Sequence, residues 1–182
     1  MEKEKKLRGR AKRASYFVMT ASGEYVYSGP VYAARNHGRL SPGRAQLCRW
    51  GMGLACLALA VADGCLTAPG MSGTFYVLLP YVAGLICAAM LVWAAYRMGR
   101  GDEPLREYIY ESTAKALPAR TVATAICAGL TLIGEAAFLI RNGRAGAGIG
   151  PTVFFVLSQI GILVMAMLWF CMERALIWEK QS

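Results

Sequence analysis

Along most of this chain the apolar residues come in long blocks rather than in short alternating runs. Four blocks, at about 50–68, 75–98, 121–140 and 151–171, carry few or no charges. Each is long enough to cross a bilayer core of ~30 Å as a helix. Only the short uncharged stretch MSGT and its flanking turn separate the first two blocks, so they are expected to form a tight helical hairpin. Pro80 lies inside the second block, and helices in lipid tolerate such a proline when neighbouring groups satisfy the freed carbonyl.

The pattern differs before the first block. Residues 1–15, MEKEKKLRGRAKRAS, form a polar basic arm with almost nothing to bury, so it is expected to be disordered. Two short runs rich in Tyr, Phe and Val follow at 16–20 and 24–28, around Gly23, and read as a small β-hairpin. A lone hairpin is marginal in water, so this one is expected to dock on something. Residues 29–44, with Pro30, Gly38, Pro42 and Gly43, read as a linker. Between the second and third blocks, 103–117 reads as a helix with Asp102 as N-cap, a Glu111–Lys115 pair and Pro118 as its stop. It is expected to lie at the membrane interface or against the bundle. The fourth block reads as a helix continuing to Trp178.

Composition sharpens this picture. The 182 residues are 56% hydrophobic and 17% charged, whereas a soluble domain is closer to a quarter charged. The first 49 residues hold no long apolar run, so span one itself is the expected insertion signal. Lys and Arg number eleven before span one, none between spans one and two, five from Arg97 to Arg120, two in the third connection and two in the tail. That alternation places both termini in the cytoplasm of a multi-pass cell-membrane protein. Trp50, Trp93, Tyr96, Trp169 and Trp178 fall near the expected inner interface, where such rings settle. The basic arm suits anionic lipid headgroups, and no recognised fold or aromatic platform points to nucleic acid.

Candidate chemistry is sparse. None of the six cysteines forms a CxxC pair, and the single histidine, His37, argues against a metal or haem centre. No cofactor is expected. GxSxG, HExxH and P-loop motifs are all lacking, so the chain is not expected to be an enzyme. What stands out is a pair of acids within the spans. Asp63 and Glu135 both fall ~21–23 Å from the inner ends of spans one and three. Tyr81 on span two, and Ser158 and Gln159 on span four, fall ~10–12 Å from the outer ends. All four helices thus offer a polar group to one slab. Read functionally, this is a cation- or proton-binding site in which two close carboxylates would share a proton. Read structurally, each acid hydrogen-bonds its neighbours or reaches water, and Asp63 caps the end of span one. Small residues recur at helical spacing at Cys56, Ala60 and Gly64, at Gly84 and Ala88, and at Ala125 and Gly129. They favour close helix packing within the bundle over a dimer seam.

The phrase Cys65-Leu66-Thr67-Ala68-Pro69-Gly70, followed by Tyr76-Val77-Leu78-Leu79-Pro80-Tyr81, resembles that of small four-span bacterial membrane proteins. The resemblance implies a fold and no function. Small multidrug exporters, with an acid deep in span one, and vitamin K epoxide reductase-like proteins, with CxxC on a span, fit poorly. The expected architecture is an all-α membrane protein. Its antiparallel four-transmembrane-helix bundle at 50–182 follows a cytoplasmic arm, hairpin and linker at 1–49, with an interfacial helix between spans two and three. The expected role is an accessory or structural subunit that meets a membrane-protein partner or its own copies in the lipid bilayer. The alternative is a proton- or cation-coupled transporter using Asp63 and Glu135, with Tyr81 and Gln159 beside them.

Overall fold

A computed structural model of the chain describes residue 14 and residues 16–36, 42–66, 68, 70–71, 74–99, 104–142 and 149–181. The basic arm apart from Ala14, the Asp102 cap and most of the third connection lie outside the described residues. The elements run β1 (Phe17–Met19), β2 (Tyr25–Tyr27), β3 (Val31–Asn36), α1 (Pro42–Cys65), α2 (Phe75–Gly99), β4 (Leu105–Arg106), α3 (Glu107–Ser112), α4 (Leu117–Asn142), α5 (Ile149–Arg174) and β5 (Ile177–Gln181).

The four apolar blocks are the four long helices α1, α2, α4 and α5, each long and apolar enough to cross a membrane. Each extends beyond its apolar block. Pro42 and Pro118 both sit in a first helical turn, where a missing N–H costs nothing and the fixed φ suits the helix. Pro118 therefore helps to open α4 rather than closing the segment before it. The helices pack in the cyclic order α1–α2–α4–α5. Neighbours are antiparallel: α1 meets α5 near its start through Arg49 and Glu173 and near its end through Asp63 and Ser158.

Three core clusters stack along the bundle. Trp169, Leu91, Met98 and Leu117 fill one end, and Cys56, Ala60, Ala88, Ala128 and Ile162 the middle. Ala68, Val77, Tyr81 and Phe155 close the end near the α1–α2 turn. The small-residue stripes serve this packing: Cys56, Ala60 and Ala88 share the middle cluster, Gly84 lies against Cys127, and Gly129 against Leu163. Trp169, expected at an interface, is fully buried in the end cluster.

Outside, the bundle is apolar. Phe75, Leu79, Ile133 and Ile140 are 79%, 64%, 68% and 87% exposed, while Asp63 and Glu135 are 0% exposed. A helix bundle built for water has the opposite distribution.

Two segments depart from the sequence reading, and for one reason. The expected linker contains β3, and the expected extension of the fourth helix is β5. The two pair antiparallel, Tyr32 opposite Lys180 and Ala34 opposite Trp178, with β4 on the other side of β3. Ile177 and Trp178 suit a strand once a partner exists, but that partner lies at the other end of the chain. The helix expected over 103–117 is likewise confined to Glu107–Ser112, because Leu105 and Arg106 are drawn into the sheet and Thr113 leaves helical geometry. This small sheet sits on the α2–α4 connection through aromatic contacts: Tyr32 stacks on Tyr110 at 4.2 Å, and Tyr110 meets Trp178 at 5.5 Å.

The β1–β2 hairpin forms as expected, turning through Gly23 at φ 81°. Its docking surface is the same connection. The Tyr27 hydroxyl donates to the Pro30 carbonyl at 3.0 Å and accepts the Glu107 N–H at 3.2 Å, while Arg106 lies over its ring. Burial raises the Tyr27 pKa above its ordinary value, so the hydroxyl remains a donor at neutral pH. Val18, Met19, Tyr25 and Val26 stay more than half exposed.

Candidate functional site

Asp63 lies in the last turn of α1, with its carboxylate turned to α5. The Ser158 hydroxyl donates to Asp63 Oδ1, and Gln159 Nε2 donates to Oδ2 at 2.7 Å. Ser158 Oγ also lies 2.9 Å from the Phe155 carbonyl. A hydroxyl has one hydrogen, so it serves one of these acceptors at a time. Neighbouring α2 supplies Tyr81, whose hydroxyl donates to the Ala60 carbonyl at 2.6 Å, one turn before Asp63.

Gly64 makes room for this arrangement. A Cβ there would lie 2.5 Å from the Tyr81 hydroxyl, which Ala60 already holds in place. Gly64→Ala is therefore expected to destabilise the protein by about 1–3 kcal/mol through overpacking. Thermal unfolding in detergent reads the loss, and Gly43→Ala, facing open space, serves as control.

Glu135, on α4, occupies a separate niche. Its Oε1 accepts the Gly70 N–H at 3.4 Å, and its Oε2 has no hydrogen-bond partner among the described residues. The niche is tight because small residues surround it. A Cβ at Gly70 would collide with the Glu135 carboxylate, and one at Gly134 would lie 3.0 Å from the Tyr76 carbonyl oxygen. That carbonyl is four residues before Pro80, which has no N–H to give it. The proline of α2 and the glycine of α4 thus meet at one place. Glu135 and Asp63 share no hydrogen bond, and each carboxylate has its own partners.

Below Tyr81 a cavity of about 10 Å³ is lined by Tyr81, Thr124, Thr131 and Gln159 together with Ala60 and Ala128. It is near the smallest size that holds one water molecule. Thr124 and Thr131 turn their hydroxyls back to the carbonyls of Arg120 and Cys127. Such bonding satisfies a hydroxyl within its own helix. Among the described residues, no group of three or more His, Cys, Asp or Glu is placed to hold a metal ion.

The sheet end of the bundle holds a second buried polar cluster that the sequence reading missed. Arg49 Nε donates to Glu173 Oε1 at 2.7 Å, with the two residues 3% and 5% exposed. Trp169 Nε1 donates to the same oxygen at 3.2 Å. Gln46 accepts from Arg49 Nη1 at 3.4 Å and donates to the Ala95 carbonyl of α2 at 2.8 Å. Three helices are tied by these four side chains. Arg49 Nη2 and Glu173 Oε2 have no partner among the described residues, so the ion pair is held through Nε.

The structure therefore unites three of the four singled-out residues, Asp63, Tyr81 and Gln159, in one neighbourhood with Ser158, and sets Glu135 apart. In the sequence Arg49 is one of the eleven basic residues before span one and carries no other signal. Once α1 starts at Pro42, Arg49 is well inside a helix. The usable signal was Glu173, a lone acid four residues after Trp169, which places the two on one helix face. Comparison with protein-family models, with curated proteins and with solved structures returned no match.

Proposed function

We propose that this chain is a multi-pass membrane protein, with both termini on the cytoplasmic side of the cell membrane, acting as a non-catalytic accessory or structural subunit. The observation that carries the reading is the inversion of polarity. Lipid-compatible residues cover the helices, while every buried ionisable or amide side chain of the two clusters is spent on bonding one helix to another. A bundle held this way is a scaffold: its two buried clusters join one helix to another, and the polar-lined cavity below Tyr81 suits one water. The positive flanks set the orientation, and the basic arm meets anionic lipid headgroups there. The exposed rim of the hairpin is left for a membrane-protein partner or a second copy.

A second reading, proton- or cation-coupled transport, has one observation in its favour. Glu135 Oε2 is buried without a partner among the described residues, and intramembrane carboxylates of this kind mark ion pathways in other proteins.

Reconstitution separates the two. In proteoliposomes under a pH gradient the protein is expected to give no uptake or proton flux above that of empty vesicles. Light scattering in mild detergent is expected to give a particle containing more than one 19.7 kDa chain. Flux that disappears in Glu135→Gln while the particle persists would establish the transporter in place of the scaffold.

A further inference from the structure

The α2–α4 contact contains a chemistry that neither cluster uses. Where Gly84 faces α4, a Cβ would lie 3.4 Å from Cys127 Cβ, so the two helices are in direct contact at this level. Cys87 follows Gly84 by three residues and shares its helix face. Its thiol and that of Cys127 are hydrogen-bond partners. Ala88 and Ala128, each adjacent to one of these cysteines, are buried together in the middle core cluster, which keeps the helices close on either side.

A disulfide needs Cβ atoms about 3.5–4.5 Å apart and Cα atoms about 4.4–6.8 Å apart, distances that a contact built on Gly and Ala allows. Of the other cysteines, Cys56 is buried, while Cys48, Cys65 and Cys171 are exposed elsewhere. Cys87 and Cys127 are half-buried. Cys87 is also the middle residue of α2, twelve from either end.

We propose that Cys87 and Cys127 form a redox pair, a dithiol that closes to an interhelical disulfide with an apolar two-electron acceptor. Two S–H bonds break and one S–S bond forms. The two protons and two electrons pass to the acceptor, an azo or quinone compound that leaves as the hydrazine or hydroquinone. An apolar acceptor is specified because the pair lies midway along a bundle with an apolar exterior, beyond the reach of charged oxidants. That specificity rests on the membrane reading; the pairing itself does not.

The test uses the purified full chain in detergent, so it stands whether or not the scaffold reading survives. Diamide is the oxidant: one thiol adds across its N=N bond, and the second thiol displaces the hydrazine as the disulfide forms. Remaining thiols are blocked with N-ethylmaleimide, and the digest is mapped by mass spectrometry. The expected result is a Cys87–Cys127 linkage in most molecules, with Cys56 still free and the link reversed by dithiothreitol. In Cys127→Ser, Cys87 is expected to be recovered fully alkylated. Because parent and variant are mapped separately, a variant that folds poorly does not obscure the parent's result. Recovery of both Cys87 and Cys127 as alkylated thiols in the parent chain, or linkage of either to another cysteine, would overturn the pairing.

Discussion

Replacing Arg49 with Met is expected to lower stability by about 3–5 kcal/mol, the range for breaking a buried ion pair by removing one partner. The loss comes less from the missing attraction than from what is left behind. Without Arg49, Glu173 is a buried carboxylate whose remaining side-chain donor is Trp169, with one oxygen already unpartnered. Gln46 would also lose its contact with Arg49 while staying tied to Ala95. Glu173→Leu is expected to cost a similar amount, by stranding the guanidinium. The double variant, Arg49→Met with Glu173→Leu, is the informative one. Apolar pairs of similar volume replace buried ion pairs with little loss and sometimes a gain, so it is expected to recover most of the stability lost in either single variant. Thermal unfolding in detergent reads all three. If both single variants melt within about 1 kcal/mol of the parent, the range for solvent-exposed pairs, the pair is not buried as described.

The second large effect belongs to Asp63. Asp63→Ala removes the acceptor for both Ser158 and Gln159. A buried donor left without its acceptor costs about 1–3 kcal/mol, so a loss of about 2 kcal/mol or more is expected. Ser158 keeps the Phe155 carbonyl as a second acceptor, which softens its share; the Gln159 amide has no second side-chain acceptor among the described residues. Glu135→Gln is expected to cost far less, because an amide oxygen still accepts the Gly70 N–H and one carboxylate oxygen was unpartnered from the start. The same melting series in detergent checks the order Asp63→Ala well below Glu135→Gln. Equal losses would contradict the partner sets assigned to the two acids.

The parts of this fold that could be read from sequence are those decided locally. Sustained apolarity across the four blocks marks helices because lipid leaves the backbone no other way to satisfy its own hydrogen bonds. The alternation and turn residues around Gly23 marked the hairpin for equally local reasons. The β3–β5 pairing was illegible because neither Val31–Asn36 nor Ile177–Gln181 has a nearby partner; each becomes a strand only when the ends of the chain meet. The same holds for the sites. Depth along a helix follows from residue count, which puts Asp63, Glu135, Tyr81, Ser158 and Gln159 in one slab; of these, Asp63, Ser158 and Gln159 are joined directly. Rotation about each helix axis does not follow from counting, and it is rotation that turns Asp63 to α5 and Glu135 to the turn at Gly70. Arg49 and Glu173 escaped notice because each, taken singly, looks like an ordinary charge near a helix end. Only the packing of α1 on α5 makes them a pair.

The central claim is that the apolar exterior of α1, α2, α4 and α5 faces hydrocarbon while the polar groups face inward. Alkaline carbonate washing of membranes from cells producing the chain tests it most directly. The protein is expected to stay in the membrane fraction through the wash and to be released by mild detergent. Release into the carbonate supernatant would contradict the account.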